Sequence, residues 1–330
     1  MPFLNPSYLV GSLLIFLPMG ANAESRTWTS TDGRTIEAKV LTLDETGVTI
    51  LRDRDRKKMK LTPEMLSPED QEYILTLRAA ESEEAAHLLA EAQRTKSLKE
   101  GPFADLITGK FVYSKTPEGM PFQLYGPEEA KGSERYPLVL ALHGGASRGS
   151  EGEWSAGGAA NTWIKGSFSE ENPCFVVVPR CPADDSWRGP SADIAATLVK
   201  ELIANLPIDV NRVYVTGSSL GGGGSWHQIT EHQELYAGAL ILANPGRGAN
   251  DVEKSQDFPI WQFHGEKDLS SPVQKARELA EAKESADSKN YQFTELLGEG
   301  HAISSLVYSR EDVQNWLFSQ RRDKKTNNSK

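Results

Sequence analysis

A serine between two glycines is the strongest chemical signal in the chain. Gly217-Ser218-Ser219-Leu220-Gly221 follows the apolar residues 213–216. The spacing Gly-x-Ser-x-Gly is typical of a nucleophile elbow, a strained strand-to-helix turn in which side chains two positions either side of the serine would clash with neighbouring strands. Ser219 has both flanking glycines, whereas Ser218 has neither. The pattern therefore predicts Ser219 as a nucleophile.

Two other uses of a glycine-rich segment do not fit residues 213–227. A phosphate-binding P-loop requires a lysine, and this stretch contains none. The dinucleotide pattern Gly-x-Gly-x-x-Gly also fails, because counting from Gly217 places Ser219 at the second glycine. A flexible linker would not follow directly on a buried strand. The spacing therefore favours the elbow.

A serine hydroxyl becomes a strong nucleophile when a base takes its proton and an acid orients that base. Of the six histidines, His301 alone combines a late position with a glycine-rich turn. Asp268 follows an apolar stretch and precedes a helical pattern, which suits an orienting carboxylate; a helix N-cap is the alternative role for it. Glu299 is the second candidate for the acid. The expected triad is Ser219, His301 and Asp268.

The chain also offers two backbone donors for the negative oxygen of a tetrahedral intermediate. One is the N–H of Leu220, directly after the nucleophile at the start of a helix. The second should come from the Gly-Gly-Ala turn after residues 138–142, and we assign it to Gly145. Removing one such donor typically costs roughly 100- to 1000-fold in turnover. Leu220 and Gly145 are therefore the predicted oxyanion hole.

These candidate residues follow strand-like segments, and the order of the segments predicts the fold class. From about residue 105 onward, short apolar runs alternate with amphipathic stretches, which indicates an α/β fold with a mostly parallel sheet and helices on both faces. In such sheets, functional groups gather at the carboxyl ends of the strands. The predicted strands are 138–142, 175–178, 213–216, 239–243 and 260–263, and the clearest predicted helices are 193–206, 272–284 and 311–321.

The first 23 residues have the pattern of a signal peptide. The apolar stretch 8–19 is shorter than the roughly 20 residues that span a bilayer. Ala21-Asn22-Ala23 follows it and matches a signal-peptidase site. We therefore expect cleavage after Ala23, a periplasmic or secreted location, and no stable membrane insertion after cleavage.

Two resemblances to known families add to these inferences. Residues 28–38, W-x-S-x-D-G-R-x-I-x-A, resemble a small SH3-like barrel that precedes enzyme domains in secreted bacterial proteins. A larger part of the chain, about residues 105–320, resembles secreted α/β-hydrolases of the polyhydroxybutyrate-depolymerase-like and feruloyl- or acetylxylan-esterase-like group. The segments that carry this second resemblance are YPLVLALHGG, FVVVPRCP, IDVNRVYVTGSSLGGGGSW, PIWQFHGEKD and GEGH.

The hydrolase resemblance implies carboxylesterase chemistry with Ser219, His301 and Asp268 as the triad. It also implies that Trp187 lies near the substrate, although a place in the core suits this tryptophan equally. The chain departs from its relatives at Gly223, where they carry an aromatic residue. The implied organisation is a signal peptide at 1–23, an SH3-like barrel at 24–66, a helical linker at 67–104, a catalytic domain at 105–322 and a basic tail at 323–330.

Composition and charge exclude other classes of function. The net charge of −10 argues against a nucleic-acid partner. No pair of histidines or cysteines has metal-ligand spacing, so no metal is expected. Hydrolysis through an acyl-enzyme needs no organic cofactor either. Cys174 and Cys181 flank a strand-like run too long for a disulfide, which predicts two separate, half-buried thiols. The partner is expected to be a small-molecule or polysaccharide-linked ester, with a cell-envelope polymer as a further ligand for the barrel.

Two alternatives to a carboxylesterase stay open at this point. One is a serine peptidase of the prolyl-oligopeptidase type, although no propeller pattern precedes the hydrolase segment. The other is a catalytically silent polysaccharide- or cell-wall-binding protein, although such a protein would often have lost a triad residue. Hydrolysis of esters by the wild type and by a Ser219 variant separates these alternatives.

Overall fold

The computed structural model describes residues 25–149 and 157–322. The predicted signal peptide and the predicted basic tail lie outside these residues. The chain divides between Ala90 and Glu91 into two compact units. Each unit is described separately below.

The first unit contains an antiparallel sheet of four strands in the order β1-β2-β3-β4. Trp28, Val48 and Ile50 form its core together with Ile74, which lies on the following helix. This small antiparallel sheet fits the barrel expected from the alternating sequence. The strands are β1 (Arg26–Thr29), β2 (Thr35–Asp44), β3 (Gly47–Arg52) and β4 (Lys58–Leu61).

The helix after this sheet, α1 (Pro68–Glu100), lies within the predicted helical linker 67–104. The Asp70 N–H donates to Ser67 Oγ at 3.3 Å, so Ser67 caps the first turn. The Asp70 carboxylate is itself buried, where it accepts from Arg26 and from the Thr29 N–H, each at 2.6 Å. The start of the helix is therefore tied to β1. The predicted helical linker is thus one continuous helix of 33 residues.

The second unit is built on an eight-stranded sheet in the order β12-β11-β10-β9-β7-β8-β6-β5. The six strands from β12 to β8 in this order are parallel; β6 pairs antiparallel with β8, and β5 pairs antiparallel with β6. The strands are β5 (Val112–Lys115), β6 (Pro121–Tyr125), β7 (Tyr136–Leu142), β8 (Phe175–Pro179), β9 (Ile208–Ser218), β10 (Gly238–Leu242), β11 (Ile260–Gly265) and β12 (Tyr291–Leu296).

Helices cover both faces of this sheet, as predicted. They are α2 (Gly158–Asn161), α3 (Gly166–Glu171), α4 (Pro190–Asn205), α5 (Leu220–Glu231), α6 (Ala249–Lys254), α7 (Val273–Ser285), α8 (Ser304–Tyr308) and α9 (Glu311–Ser319). Every residue of β7 is buried, because Leu140 belongs to one core with Val199 of α4, and Val139 to the opposite core with Leu317 of α9. A strand that is buried on both faces has a continuous run of apolar residues, so β7 could be predicted from the sequence.

The described residues contain no helix with the length and apolar character needed to cross a membrane. The two cysteines, Cys174 and Cys181, are separate free thiols, as expected, but both are fully buried rather than half-buried. Burial raises the pKa of the Cys174 thiol to about 12. Both side chains therefore serve as small apolar core residues.

Candidate active site

Ser219 occupies a strained turn between β9 and α5. Its backbone angles are φ 58° and ψ −117°, a combination that non-glycine residues rarely adopt. The turn is held from both sides, because the Ser219 N–H donates to the Leu242 carbonyl at 2.9 Å and the Ser219 carbonyl accepts from the Gly223 N–H at 3.0 Å. Strain of this kind, of order 1–3 kcal/mol, persists only where surrounding structure imposes it. This is the elbow that the glycine spacing predicted.

The two glycines that flank Ser219 are required by close backbone packing. A Cβ at Gly221 would lie 2.0 Å from the Leu142 carbonyl oxygen at the end of β7. A Cβ at Gly217 would lie 2.4 Å from the Gly221 backbone. Both distances are far below van der Waals contact, and backbone cannot rotate away as a flexible side chain can. The predicted clash with neighbouring strands is confirmed.

Ser219, His301 and Asp268 converge at the carboxyl ends of the parallel strands. The Ser219 hydroxyl lies 2.8 Å from His301 Nε2, and His301 Nδ1 lies 2.7 Å from Asp268 Oδ2. Because an ionised carboxylate can only accept, Nδ1 carries the ring proton and Nε2 is free to accept from the serine hydroxyl. These distances are those expected for a nucleophile, a base and an orienting acid, and the three catalytic roles stay predictions.

The Asp268 carboxylate is enclosed and held by several donors. Its side chain has no exposed surface, and Oδ1 accepts from the N–H groups of Ser270 and Ser271 at 2.9 and 2.8 Å. Burial alone would raise the pKa of Asp268, but the bonds from His301 and the Ser271 N–H outweigh it and hold this pKa below its ordinary value. Asp268 is therefore an ionised partner for His301. Glu299, the second candidate for the acid, is exposed.

His264 is a supporting residue that the sequence analysis did not assign. Its Nε2–H donates to the Ser271 carbonyl at 2.6 Å and lies 3.3 Å from Asp268 Oδ2. The imidazole is fully buried, so it fixes the turn that carries the aspartate. Its position four residues before Asp268, at the end of the same strand, was the only signal available in the sequence.

The two residues predicted for the oxyanion hole lie at the appropriate places. Leu220 is the first residue of α5, where a backbone N–H has no acceptor within the helix. Gly145 begins a short 3₁₀ turn directly after β7, and a Cβ on its neighbour Gly144 would lie 3.5 Å from the Ser218 carbonyl oxygen. The turn after β7 and the elbow are therefore adjacent. The roles of Leu220 and Gly145 as donors stay predictions.

Trp187 is a core residue and does not line an open site. Its side chain has no exposed surface, and its Nε1–H donates to the His143 carbonyl at 3.0 Å. His143 in turn accepts from the Cys181 N–H at 3.1 Å, and its Nδ1–H donates to the Gly144 carbonyl at 2.8 Å. Trp187 and His143 thus brace the turn that precedes Gly145. The indole takes the core position that the sequence left open as its other role, and a contact of Trp187 with substrate stays a prediction.

The space beside Gly223 is filled by a charged side chain. A Cβ at Gly223 would lie 2.9 Å from Arg188 Nη2 and 3.1 Å from Asn244 Nδ2. Arg188 donates to Asn244 Oδ1 at 3.4 Å, and Asn244 Nδ2–H donates to the Ser219 carbonyl at 3.0 Å. Gly223, where the sequence departs from the proteins it resembles, thus lies beside a guanidinium and an amide next to the elbow. Neither partner could be found from the sequence, because Arg188 lies just before α4 and Asn244 follows β10.

Comparison with known proteins gives a structural relationship only. No protein-family model matches the chain, and no curated protein sequence matches it. The chain is similar to a thermostable esterase of known structure, at 30% sequence identity and a TM-score of 0.60; the match covers 66% of this chain and 64% of that one. The match thus spans less than two thirds of that esterase. It supports an esterase-like α/β-hydrolase fold for this chain.

Two further structures show weaker likeness. A feruloyl esterase module from Clostridium thermocellum is 13% identical, with a TM-score of 0.47 over 64% of this chain and 88% of that one. A thermophilic esterase from Thermogutta terrifontis is 15% identical, with a TM-score of 0.45 over 64% of this chain and 90% of that one. At these scores the two structures say nothing further about this chain.

Proposed function

We propose that this protein is a serine carboxylesterase that hydrolyses esters through an acyl-enzyme. The observation that carries the proposal is the continuous hydrogen-bonded series from Ser219 Oγ through His301 to Asp268, at 2.8 and 2.7 Å. A nucleophile bonded to a base that is itself oriented by a third group is the general signature of covalent acyl transfer. The likeness to a thermostable esterase is consistent with ester bonds as the target.

The proposed first half-reaction begins at the strained turn. His301 Nε2 takes the proton of the Ser219 hydroxyl as Oγ attacks the ester carbonyl carbon, and the carbonyl oxygen becomes negative. The N–H groups of Leu220 and Gly145 donate to this oxygen. The tetrahedral intermediate collapses when its bond to the alcohol oxygen breaks, and His301 gives that oxygen the proton. Asp268 stabilises the imidazolium while it exists.

The second half-reaction uses the same groups with water. His301 takes a proton from a water molecule as the water oxygen attacks the acyl carbon bound to Ser219. A second tetrahedral intermediate forms at the same donors, and its bond to Ser219 Oγ breaks. His301 returns the proton to Oγ, and the carboxylic acid leaves. The enzyme is regenerated without a change in oxidation state.

We further propose a location outside the cytoplasm for the mature chain, which would begin at Glu24. Support for this comes from the small-x-small sequence at Ala21 to Ala23. The first unit is proposed to resemble an SH3-like barrel and to contact a cell-envelope polymer. Its basic hairpin between β3 and β4 supplies positive charge, although Arg52 is paired with Asp55 at 2.5 Å.

The proposed function is tested by comparing the wild type, Ser219→Ala and Ser218→Ala on p-nitrophenyl esters from acetate to decanoate. We expect Ser219→Ala to lose at least about a thousandfold in kcat/KM. Ser218→Ala, which removes the neighbouring hydroxyl, should keep most of the activity. A fluorophosphonate label should map to Ser219. Equal hydrolysis by the wild type and Ser219→Ala would refute the proposal and favour a silent binding protein.

The substrate class follows from a second panel. Feruloyl, acetylxylan and hydroxybutyrate esters would be compared with short peptide substrates for the same three proteins. Cleavage of peptides at a higher kcat/KM than any ester would replace the esterase with the peptidase alternative. The fluorophosphonate would label Ser219 in an esterase and in a peptidase alike. The label therefore tests the nucleophile, and the panel tests the substrate.

A further inference from the structure

Three side chains outside the candidate active site converge between α4 and α5. Asp193 lies in the first turn of α4, His227 lies on α5, and His232 directly follows α5. His232 Nε2 lies 2.9 Å from Asp193 Oδ1, and His227 Nε2 lies 4.0 Å from the same oxygen. One ligand atom from each residue lies within 4.8 Å of the other two. The cluster therefore gathers two imidazoles and a carboxylate at one point.

The buried imidazole of His227 has no hydrogen-bond partner among the described residues. Only 12% of the side chain is exposed, and both of its ring nitrogens are buried without a hydrogen-bond partner among the described residues. Burying a polar group without a partner is costly, and native structures rarely leave such groups unsatisfied unless an ion or water completes them. His227 Nε2 lies beside the Asp193 carboxylate and His232, where a bound ion would give this nitrogen a partner.

We propose that Asp193, His227 and His232 bind one divalent transition-metal ion. Two imidazole nitrogens and one carboxylate oxygen form a donor set that Zn²⁺ accepts, with water completing the tetrahedron. Metal–ligand bonds of about 2.1 Å place the ligand atoms roughly 3.4 Å apart. The distances from Asp193 Oδ1 to the two histidine nitrogens, 2.9 and 4.0 Å, lie on either side of this value, and all three ligand atoms lie within 4.8 Å of one another. Side-chain rotation would bring the three atoms to a common centre.

The ion would stabilise the packing of α4 against α5 and would take no part in the reaction. His227 lies eight positions after Ser219, about 12 Å along the axis of α5 at 1.5 Å per residue. The ion would link the N-terminal turn of α4 to the C-terminal end of the helix whose first turn follows the nucleophile. Glu231 and Arg247 are the charged neighbours on this side; they lie 3.8 Å apart, and Arg247 also pairs with Asp251.

The cluster carries no sequence signature. The two histidines are five positions apart, which differs from the three- or four-residue spacing of helical metal motifs, and Asp193 lies on another helix. Ligand spacing in the sequence therefore gave no indication of a metal. The juxtaposition depends on the packing of α4 against α5.

The experiment is a calorimetric titration of the full mature chain, without an affinity tag, with ZnCl₂ after dialysis against a chelator. The variants are Asp193→Ala and His232→Gln, both at sites reached from the surface, and His87→Gln is the matched control, because His87 is an exposed histidine on α1. We expect one equivalent of Zn²⁺ to bind the wild type and His87→Gln with the same Kd. Each of the other two variants should raise the Kd at least tenfold.

A second measurement separates ligation from loss of folding. Co²⁺ replaces Zn²⁺ in many sites, and its visible absorption reports the coordination geometry. We expect a tetrahedral Co²⁺ spectrum and a metal-dependent rise in Tm for the wild type and His87→Gln, and neither effect for Asp193→Ala. Absence of Zn²⁺ binding by the wild type, or an unchanged Kd in both cluster variants, would show that His232 and Asp193 form only an ion pair. Neither readout depends on esterase activity.

Discussion

Asp268 Oδ2 accepts a hydrogen bond from His301 Nδ1 at 2.7 Å across 33 residues of sequence. The other oxygen of the same carboxylate accepts from two backbone N–H groups, and His264 Nε2 lies 3.3 Å from Oδ2. The carboxylate is therefore fixed in position before it meets the imidazole. An acid held in this way orients the base without having to move.

Replacing Asp268 tests this relationship. We expect Asp268→Asn to lower kcat roughly ten-thousandfold, because the amide would favour the wrong imidazole tautomer while leaving the fold intact. Glu299→Gln, the matched variant of the second candidate acid, should leave kcat within about twofold. Steady-state kinetics on p-nitrophenyl acetate, with circular dichroism to verify folding, make the comparison. Comparable losses in the two variants would exclude Asp268 as the sole orienting acid.

The glycines after the nucleophile should differ sharply in their tolerance of a methyl group. At Gly221 a Cβ would meet the Leu142 backbone at 2.0 Å, whereas at Gly223 it would meet the end of the Arg188 side chain at 2.9 Å, which can move. We expect Gly221→Ala to unfold the domain or abolish activity. Gly223→Ala should fold and gain up to roughly 0.5–1 kcal/mol, the usual advantage of alanine over glycine within a helix.

Urea unfolding and ester hydrolysis of both variants provide the measurement. The two variants are matched, because both glycines lie in the first turn of α5 and each substitution adds one methyl group. Full activity in Gly221→Ala would show that the elbow has more room than its backbone distances allow. A large loss of stability in Gly223→Ala would show that Arg188 cannot leave its place.

A buried lysine on α7 gives a pH dependence of stability. Lys283 has no exposed surface, and its Nζ donates to the Ser255 carbonyl and hydroxyl at 2.6 and 2.8 Å. Burial lowers the pKa of Lys283 from 10.5 to about 8 in the folded chain. Between about pH 8 and 10.5 the unfolded chain therefore binds more protons than the folded chain, so this group makes the free energy of unfolding rise with pH.

The variant Lys283→Met removes this contribution. The difference in the free energy of unfolding, wild type minus variant, should increase by on the order of 3 kcal/mol from pH 7.5 to pH 10.5. Comparing the wild type with the variant is needed because the buried Cys174 also titrates. Its pKa is raised to about 12, so it makes the free energy of unfolding fall as pH rises. Urea unfolding at steps of half a pH unit measures it. A pH-independent difference would show that Lys283 titrates alike in the folded and unfolded chains.

Much of the fold could be predicted from the sequence because its signals are local. The runs that became β7, β8 and β10 are buried on both faces, so their composition alone marked them as central strands. The edge strand β5 and its neighbour β6 were missed. They are short, and β5 alternates half-buried and exposed residues that resemble a loop.

The candidate site also has features that local sequence predicted and features that only packing determined. Turn chemistry pointed to Ser219, His301 and Asp268 individually, because each follows a strand and two of them stand beside glycines. Their mutual distances depend on the order β12-β11-β10-β9 in the sheet, which no local pattern encodes. Burial of Trp187 beneath the turn after β7 was likewise a matter of packing.

By itself, the sequence determined the fold class, the glycine-flanked nucleophile and the residue types available to it. Periodicity and turn preference depend on neighbours a few positions away, and these can be read from the chain. Only the tertiary structure decided that Arg188 and Asn244 fill the space beside Gly223, that His264 supports Asp268, and that two helices bring His227 to Asp193. Such contacts join residues far apart in sequence, so they exist only once strands and helices have packed.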